Sequence, residues 1–284
     1  MPTNAPQFFT TSDGLKLAYR DQGQGIPVLC LAGLTRNMED FEPALPVLLP
    51  RCRVIRLDSR GRGASDYADD FATYSVAQEA ADALALMDHL GVERFAILGT
   101  SRGGLIAMVL AAIVKPRLLG VMLNDIGPVI DPGGLARIMD YLGKRPKFAT
   151  LDAAAEGMAA IYADSFPGVT ADQWRPHVAR WWFEAADGLD LRYDPRLRDA
   201  AALQAKSGPA PDLWPLFDAL EELPVAVLRG AFSDLLTVET MDEMARRHPG
   251  LIATTVANRA HVPFLDEPES IATVGTFLTA LGAP

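Results

Sequence analysis

Three observations predict an α/β fold with a mostly parallel central sheet and helices on both faces. Its strand-length apolar runs are continuous rather than alternating, as burial on both faces requires. They take turns with helix-length segments along most of the chain. One of them, Phe95-Ala96-Ile97-Leu98, leads through Gly99-Thr100-Ser101-Arg102-Gly103-Gly104 into the longer run Leu105 to Val114, which reads strand, tight turn, helix.

The elements follow in order. Phe8 to Thr11 and Leu15 to Tyr19 form a hairpin around Ser12-Asp13-Gly14. Strand Val28 to Ala32 precedes a helical segment near Phe41 to Leu49. Strand Val54 to Leu57 runs through a glycine-rich loop to a helix from Val76 to Leu90. Strand Phe95 to Leu98 and its helix come next, then a sixth strand, Leu119 to Leu123, ending at Asn124-Asp125. After a long interval come strand Val225 to Leu228, helix Val238 to Arg247, strand Ile252 to Val256 and a last helix from Ile271 to Leu281.

Between Ile130 and Leu220 the alternation stops. This stretch is helical and aromatic, with Tyr141, Tyr162, Trp174, Trp181, Trp182, Phe183, Trp214 and Phe217. Thr170 and Gln173 have capping-box spacing, with a staple between Val169 and Trp174, although Pro176 also suits a helix start. Residues 130–220 therefore read as a helical cap inserted after the sixth strand, over a core of residues 1–129 and 221–284.

Composition narrows the functional classes. At 284 residues the chain accommodates one large domain with an insertion, and 49% hydrophobic with 22% charged residues is a globular profile. A formal charge of −10 disfavours nucleic-acid partners and anionic membranes. The longest apolar run, ten residues from Leu105, is too short to span a bilayer, and Met1 to Gln7 carries no export signal. Cys30 falls late in one expected strand and Cys52 just before the start of the next; if those strands are parallel neighbours, an offset of three or more residues at ~3.3 Å each exceeds the ~7 Å limit for a disulfide. Two free buried thiols in a reducing cytoplasm is the expectation.

The chemistry centres on Ser101. A turn this sharp leaves no room for side chains two residues on either side, and Gly99 and Gly103 supply none. It holds the hydroxyl clear of the sheet, beside a helix N-terminus whose free N–H groups favour negative charge. A serine needs a base, and the base needs an orienting acid. His89 lies mid-helix, His248 ends a helix and His177 lies in the insert. His261, in the loop between the last strand and the last helix, can reach the sheet edge that carries Ser101. Asp234, in the loop after Val225 to Leu228, is the expected acid, with Asp125 as its rival.

These residues resemble the α/β-hydrolase family over nearly the whole chain. The order Ser, Asp, His, the segment Asp58-Ser59-Arg60-Gly61-Arg62-Gly63-Ala64-Ser65 and the run His261-Val262-Pro263-Phe264-Leu265-Asp266-Glu267-Pro268 all look like family motifs. The resemblance implies an oxyanion hole made by the backbone N–H groups of Leu34 and Arg102. Ala32 departs from it, since a histidine usually precedes that glycine, which puts the bracing of the loop in question. A serine nucleophile implies acyl transfer on small or medium carboxylic esters or lactones, with no cofactor or metal. C–C hydrolysis or lyase chemistry on the same triad, and a slow-turnover ligand receptor, are the alternatives. Arg102 is unusual after the nucleophile. By analogy with fluoroacetate dehalogenases it is expected to bind an anionic group on the substrate, unless it pairs with a carboxylate such as Asp125 or points to solvent. Trp181 and Trp182 are expected to shape the pocket.

Overall fold

The computed structural model describes residues 5–206, 208 and 211–283. The chain opens with the hairpin β1 (Gln7–Thr10) and β2 (Lys16–Gly23), followed by β3 (Ile26–Leu31). The helical segment expected near Phe41 is a 3-10 turn, Met38–Ala44, running into a single α-turn, α1 (Leu45–Leu48), because Pro43 and Pro46 limit regular hydrogen bonding there. Next come β4 (Cys52–Leu57), α2 (Val76–His89), β5 (Phe95–Thr100), α3 (Arg102–Val114) and β6 (Leu118–Asn124).

The chain then leaves the sheet for α4 (Pro132–Tyr141), α5 (Leu151–Ile161), α6 (Ala171–Trp181), β7 (Trp182–Ala185), β8 (Gly188–Leu191), α7 (Leu197–Lys206) and α8 (Trp214–Asp218). It returns for β9 (Val225–Gly230), α9 (Val238–Arg247), β10 (Ile252–Val256) and α10 (Pro268–Ala280).

Among the described residues, eight strands form one sheet in the order β1-β2-β4-β3-β5-β6-β9-β10. Only β2 opposes its neighbours; from β4 through β10 every pairing is parallel. The continuous apolar runs split by parity. Leu29, Leu31, Ile55, Leu57, Ile97, Leu123 and Val227 enter a core shared with α2 and α3. Val28, Cys30, Val54, Ala96, Leu98, Met122 and Leu228 enter the opposite one, shared with α1 and α10. The central strands β3, β4, β5, β6 and β9 thus bury both faces, for the reason their sequences have no polar alternation.

Cys30 pairs in register with Arg56, four residues beyond the partner of Ile26, Cys52, so the two thiols stand about 13 Å apart along the strands. Both are free and buried, and burial pushes the Cys30 thiol up to about 12.

The insert differs from expectation in one element. Trp182 to Leu191 is a two-stranded antiparallel hairpin, in register Trp182 with Leu191, around the turn Ala186-Asp187, with Gly188 paired to Ala185. Asp and Gly at and beside this turn are turn-favouring residues. The aromatics on either side draw the eye to a helical reading instead. Thr170 does cap α6, in a capping box with Gln173, and Pro176 lies inside the helix rather than starting it. Among the described residues no helix is long and apolar enough to cross a membrane.

Candidate active site

Ser101 stands where β5 turns into α3, with φ 51° and ψ −115°, a conformation that side chains rarely adopt. The turn closes only because of its glycines. A Cβ on Gly99 would lie 2.5 Å from the Gly103 carbonyl oxygen, and one on Gly103 would lie 1.9 Å from that of Leu31. The Ser101 N–H donates to the Asn124 carbonyl at 3.0 Å, and its own carbonyl accepts from Gly104 at 2.8 Å, so both sides of the serine are pinned.

His261 Nε2 lies 2.9 Å from Ser101 Oγ, and its Nδ1 lies 2.7 Å from Asp125 Oδ2. The imidazole thus bridges hydroxyl and carboxylate in one line of hydrogen bonds. Its loop is held by a buried carboxylate: Glu267 accepts from the N–H groups of Phe264 and Leu265, from Ser270 Oγ and from Arg259. Asn124 Nδ2 also donates to the Pro263 carbonyl at 3.1 Å.

The acid of this line is Asp125, which corrects the expectation for Asp234. Asp125 directly follows β6 and is wholly buried. Oδ1 accepts from the Gly230 N–H at 2.7 Å, and Oδ2 accepts from Ser233 Oγ at 2.7 Å. Asp234 lies one residue past Ser233, but its carboxylate is taken up by an ion pair with Arg137. Since β6 and β9 are adjacent in the sheet, either loop can approach the histidine. The usable signal was distance from the strand end: Asp125 follows β6 immediately, whereas Asp234 lies four residues past Gly230.

The Leu34 and Arg102 segments flank Ser101. A Cβ on Gly33 would lie 3.7 Å from Ser101 Cβ, so the turn that carries Leu34 abuts Ser101. Arg102 is the first residue of α3, where a backbone N–H has no intrahelical acceptor. The bracing that Ala32 leaves in question comes from elsewhere. Arg62 Nε donates to the Leu34 carbonyl at 3.0 Å, and its Nη1 donates to Glu79 Oε1 at 2.8 Å. Glu79 also accepts from Arg102 Nε at 2.7 Å and Nη2 at 2.9 Å. One buried carboxylate on α2 therefore ties together both segments. Burial pushes the Glu79 carboxyl up, but the Arg102 and Arg62 guanidiniums outweigh it and hold it below the usual range.

This geometry also corrects the anion-binding expectation for Arg102. Its fork is occupied by Glu79, with Nη2 donating to the Tyr74 carbonyl at 3.0 Å, and it does not line the cavity above Ser101. The remaining arginine of the glycine-rich loop is spent in the same way, as Arg60 pairs with Asp82 and Asp13. Asp58 accepts from the N–H groups of Met38 and Ala64. Residues 58–65 brace the rim.

A cavity of about 530 Å³ lies between this rim and the insert. From the core it is lined by Thr35, Arg36, Asp40, His261 and Phe264, and from the insert by Tyr141, Phe166, Trp174, His177, Trp181 and Trp182. Both tryptophans expected to shape a pocket therefore line it. Phe166 stacks on Phe264 with ring centroids 5.3 Å apart, joining insert and core in one aromatic cluster. Burial, reinforced by Arg180, Arg36 and Arg259, pushes the His177 imidazole down to about 3, so it stays neutral. His89 packs against Phe9 and Tyr19, and His248 Nε2 meets the Leu223 carbonyl at 3.1 Å; neither faces Ser101. Among the described residues no cluster of three His, Cys, Asp or Glu is placed to hold a metal ion.

Comparison with known proteins agrees with this architecture. A family model described as the alpha/beta hydrolase fold matches residues 26–267. A protein of Cupriavidus necator named 3-hydroxybutyrate-oligomer hydrolase is 36% identical over 275 residues, covering 93% of this chain and 93% of its own. A Mesorhizobium japonicum protein named 2-(acetamidomethylene)succinate hydrolase is 28% identical over 248 residues, covering 87% and 85%. The crystal structure of an alpha/beta hydrolase from Novosphingobium aromaticivorans superposes with a TM-score of 0.90 at 41% identity, covering 97% of this chain and 98% of that one.

Proposed function

The chain belongs to the α/β-hydrolase fold family, and on that premise we propose that it is a serine hydrolase cleaving carboxylic esters through an acyl-enzyme, with short oligomers of 3-hydroxy acids as substrates. The observation that carries this reading is the unbroken line Ser101 Oγ, His261, Asp125. His261 Nε2 takes the hydroxyl proton as Oγ attacks the ester carbonyl carbon. Asp125 keeps the other ring nitrogen protonated and stabilises the imidazolium that forms. The carbonyl oxygen, now an anion, is received by the backbone N–H groups of Leu34 and Arg102. Collapse of the tetrahedral intermediate breaks the ester C–O bond, and His261 returns its proton to the leaving alcohol. A water activated by the same imidazole then attacks the acyl-serine, freeing the acid and restoring Ser101.

The substrate class rests on the Cupriavidus relative and on a cavity of about 530 Å³, room for a few hydroxy-acid units. Residues 130–220 act as the cap that encloses it. No cofactor takes part, and two unpaired buried thiols suit a reducing cytoplasm.

The test is product analysis on linear 3-hydroxybutyrate dimer and trimer beside a panel of p-nitrophenyl esters and lactones. Free 3-hydroxybutyrate should appear, and Ser101→Ala should lose on the order of 10⁶ in kcat. A ligand that raises Tm while no ester of the panel turns over would point to a receptor. Products of carbon–carbon cleavage would point to the other hydrolytic chemistry of this triad.

A further inference from the structure

The cavity is unusually basic for a chain of net charge −10: its lining includes Arg36, Arg137, Lys144, Arg145 and Lys147 against the acids Asp40, Asp140 and Asp234. Two of these arginines are engaged already. Arg137 pairs with Asp234, and Arg145 forms a two-pronged bridge to Asp187 and donates to the Leu189 carbonyl. Arg36 is different. Among the described residues its guanidinium makes no hydrogen bond, and its one ionic contact is a long one, Nε to Asp40 Oδ2 at 3.7 Å. The Asp40 carboxylate meanwhile receives the Trp181 indole N–H on Oδ1 at 3.2 Å.

The guanidinium is held in place all the same. Its Cζ lies 3.7 Å from the centroid of the Trp181 ring, a cation–π stack that fixes the plane of the fork without using its donors. Stacking on a tryptophan leaves the N–H edge to face the cavity that both side chains line, and the arginine side chain retains 25% exposure. Arg36 also stands next to the chemistry. Its N–H donates to the Gly33 carbonyl at 3.1 Å, in the turn that carries the Leu34 oxyanion donor. The position a Gly33 Cβ would take is 3.5 Å from Arg36 Cγ and 3.7 Å from Ser101 Cβ. Arg36 Cγ therefore lies within about 7 Å of Ser101 Cβ.

Resting on the ester-hydrolase reading, we infer that Arg36 is a specificity-determining residue that binds the free carboxylate of the substrate, so that the enzyme cuts a 3-hydroxy-acid oligomer at its acid end and releases a hydroxy acid as the leaving alcohol. In such an oligomer the terminal carboxylate belongs to the same unit as the scissile ester oxygen. A cation beside the oxyanion turn therefore meets it while Ser101 attacks the preceding carbonyl. The two N–H groups of the fork match a carboxylate, and no covalent step is added.

The test compares the linear 3-hydroxybutyrate dimer with its methyl ester, in which a methyl group neutralises the terminal carboxylate and release of methyl 3-hydroxybutyrate marks cleavage of the same internal ester, on the wild-type enzyme and on Arg36→Met and Arg36→Lys. The wild type should favour the free acid in kcat/KM by roughly 10- to 100-fold, the effect of hydrogen bonds to a charged group. Arg36→Met should abolish that preference, bringing the kcat/KM ratio of acid to methyl ester to about 1, and Arg36→Lys should retain part of it. Inhibition by free 3-hydroxybutyrate should weaken in parallel in Arg36→Met. A wild type that cleaves acid and methyl ester equally overturns the proposal without touching the esterase reading, and this holds even if neither variant folds. Equal losses on both substrates in Arg36→Met would assign the arginine to packing against Trp181 and overturn it too. Failure of the wild type on every ester would instead remove the reading on which it rests.

Discussion

The rim of the sheet and the insert above it hold charge in opposite ways. At the rim the carboxylates are buried and saturated. Asp125 accepts from Gly230, Ser233 and His261, Glu267 accepts from two backbone N–H groups and two side chains, and Glu79 accepts from two arginines. Apart from the buried Asp194, which accepts from Tyr74 and Arg196, charge in the insert sits in exposed pairs such as Arg145 with Asp187 and Arg175 with Asp152, while its buried surface is aromatic. A buried polar network fixes atoms closely because each unmade bond costs a full desolvation penalty. Exposed pairs contribute little and leave positions adjustable. The rim therefore suits bond-making, and the insert suits choosing what is bound.

Substitutions should separate the two regions. The largest contrast lies between two aspartates of neighbouring loops. Asp125→Asn should lower kcat by on the order of 10⁴, since the histidine tautomer is no longer held. Asp234→Asn, which breaks only a partly exposed ion pair, should stay within a few-fold of wild type. Steady-state kinetics on p-nitrophenyl butyrate decide it, and the reverse order would return the acid to the β9 loop.

A smaller effect is expected one shell out. Glu79→Gln loosens both segments of the proposed oxyanion hole at once and should lower kcat by on the order of 10² with KM little changed. Affinity for a trifluoromethyl ketone, which mimics the tetrahedral state, should fall in parallel. A loss of thermal stability with kcat intact would mean that Glu79 only supports the fold.

The smallest contrast tests the insert through pH. Unfolded, the His177 imidazole takes a proton near 6.5, whereas in the fold it does so only near 3. The unfolded chain thus binds more protons between these values, and this residue costs stability as pH falls below 6.5, by about 2 kcal/mol at pH 5. Asp58, whose carboxyl burial pushes up to about 6, acts in the opposite sense but is common to both chains. Urea unfolding at pH 7 and pH 5 should show a smaller drop for His177→Gln than for wild type. Equal drops would place the acid sensitivity elsewhere.

How much of this was legible follows from which forces are local. The strands were legible because apolar runs of buried parallel strands are contiguous in sequence, and the serine turn because Gly99 and Gly103 are demanded by contacts within a few residues and one neighbouring strand. The β7–β8 hairpin had only Asp187 and Gly188, at and beside its turn, as a local signal, and the aromatic content around them outweighed it.

The sequence by itself determined the α/β layering, the elbow that lifts Ser101, and the loop that carries His261. Only the tertiary structure decided between Asp125 and Asp234, turned Arg102 inward to Glu79, and left Arg36 facing the cavity with its donors unspent. The reason is physical: secondary structure answers to neighbours along the chain, whereas the partner of a charged side chain is chosen by whichever opposite charge the packing of distant strands and helices brings within hydrogen-bond reach.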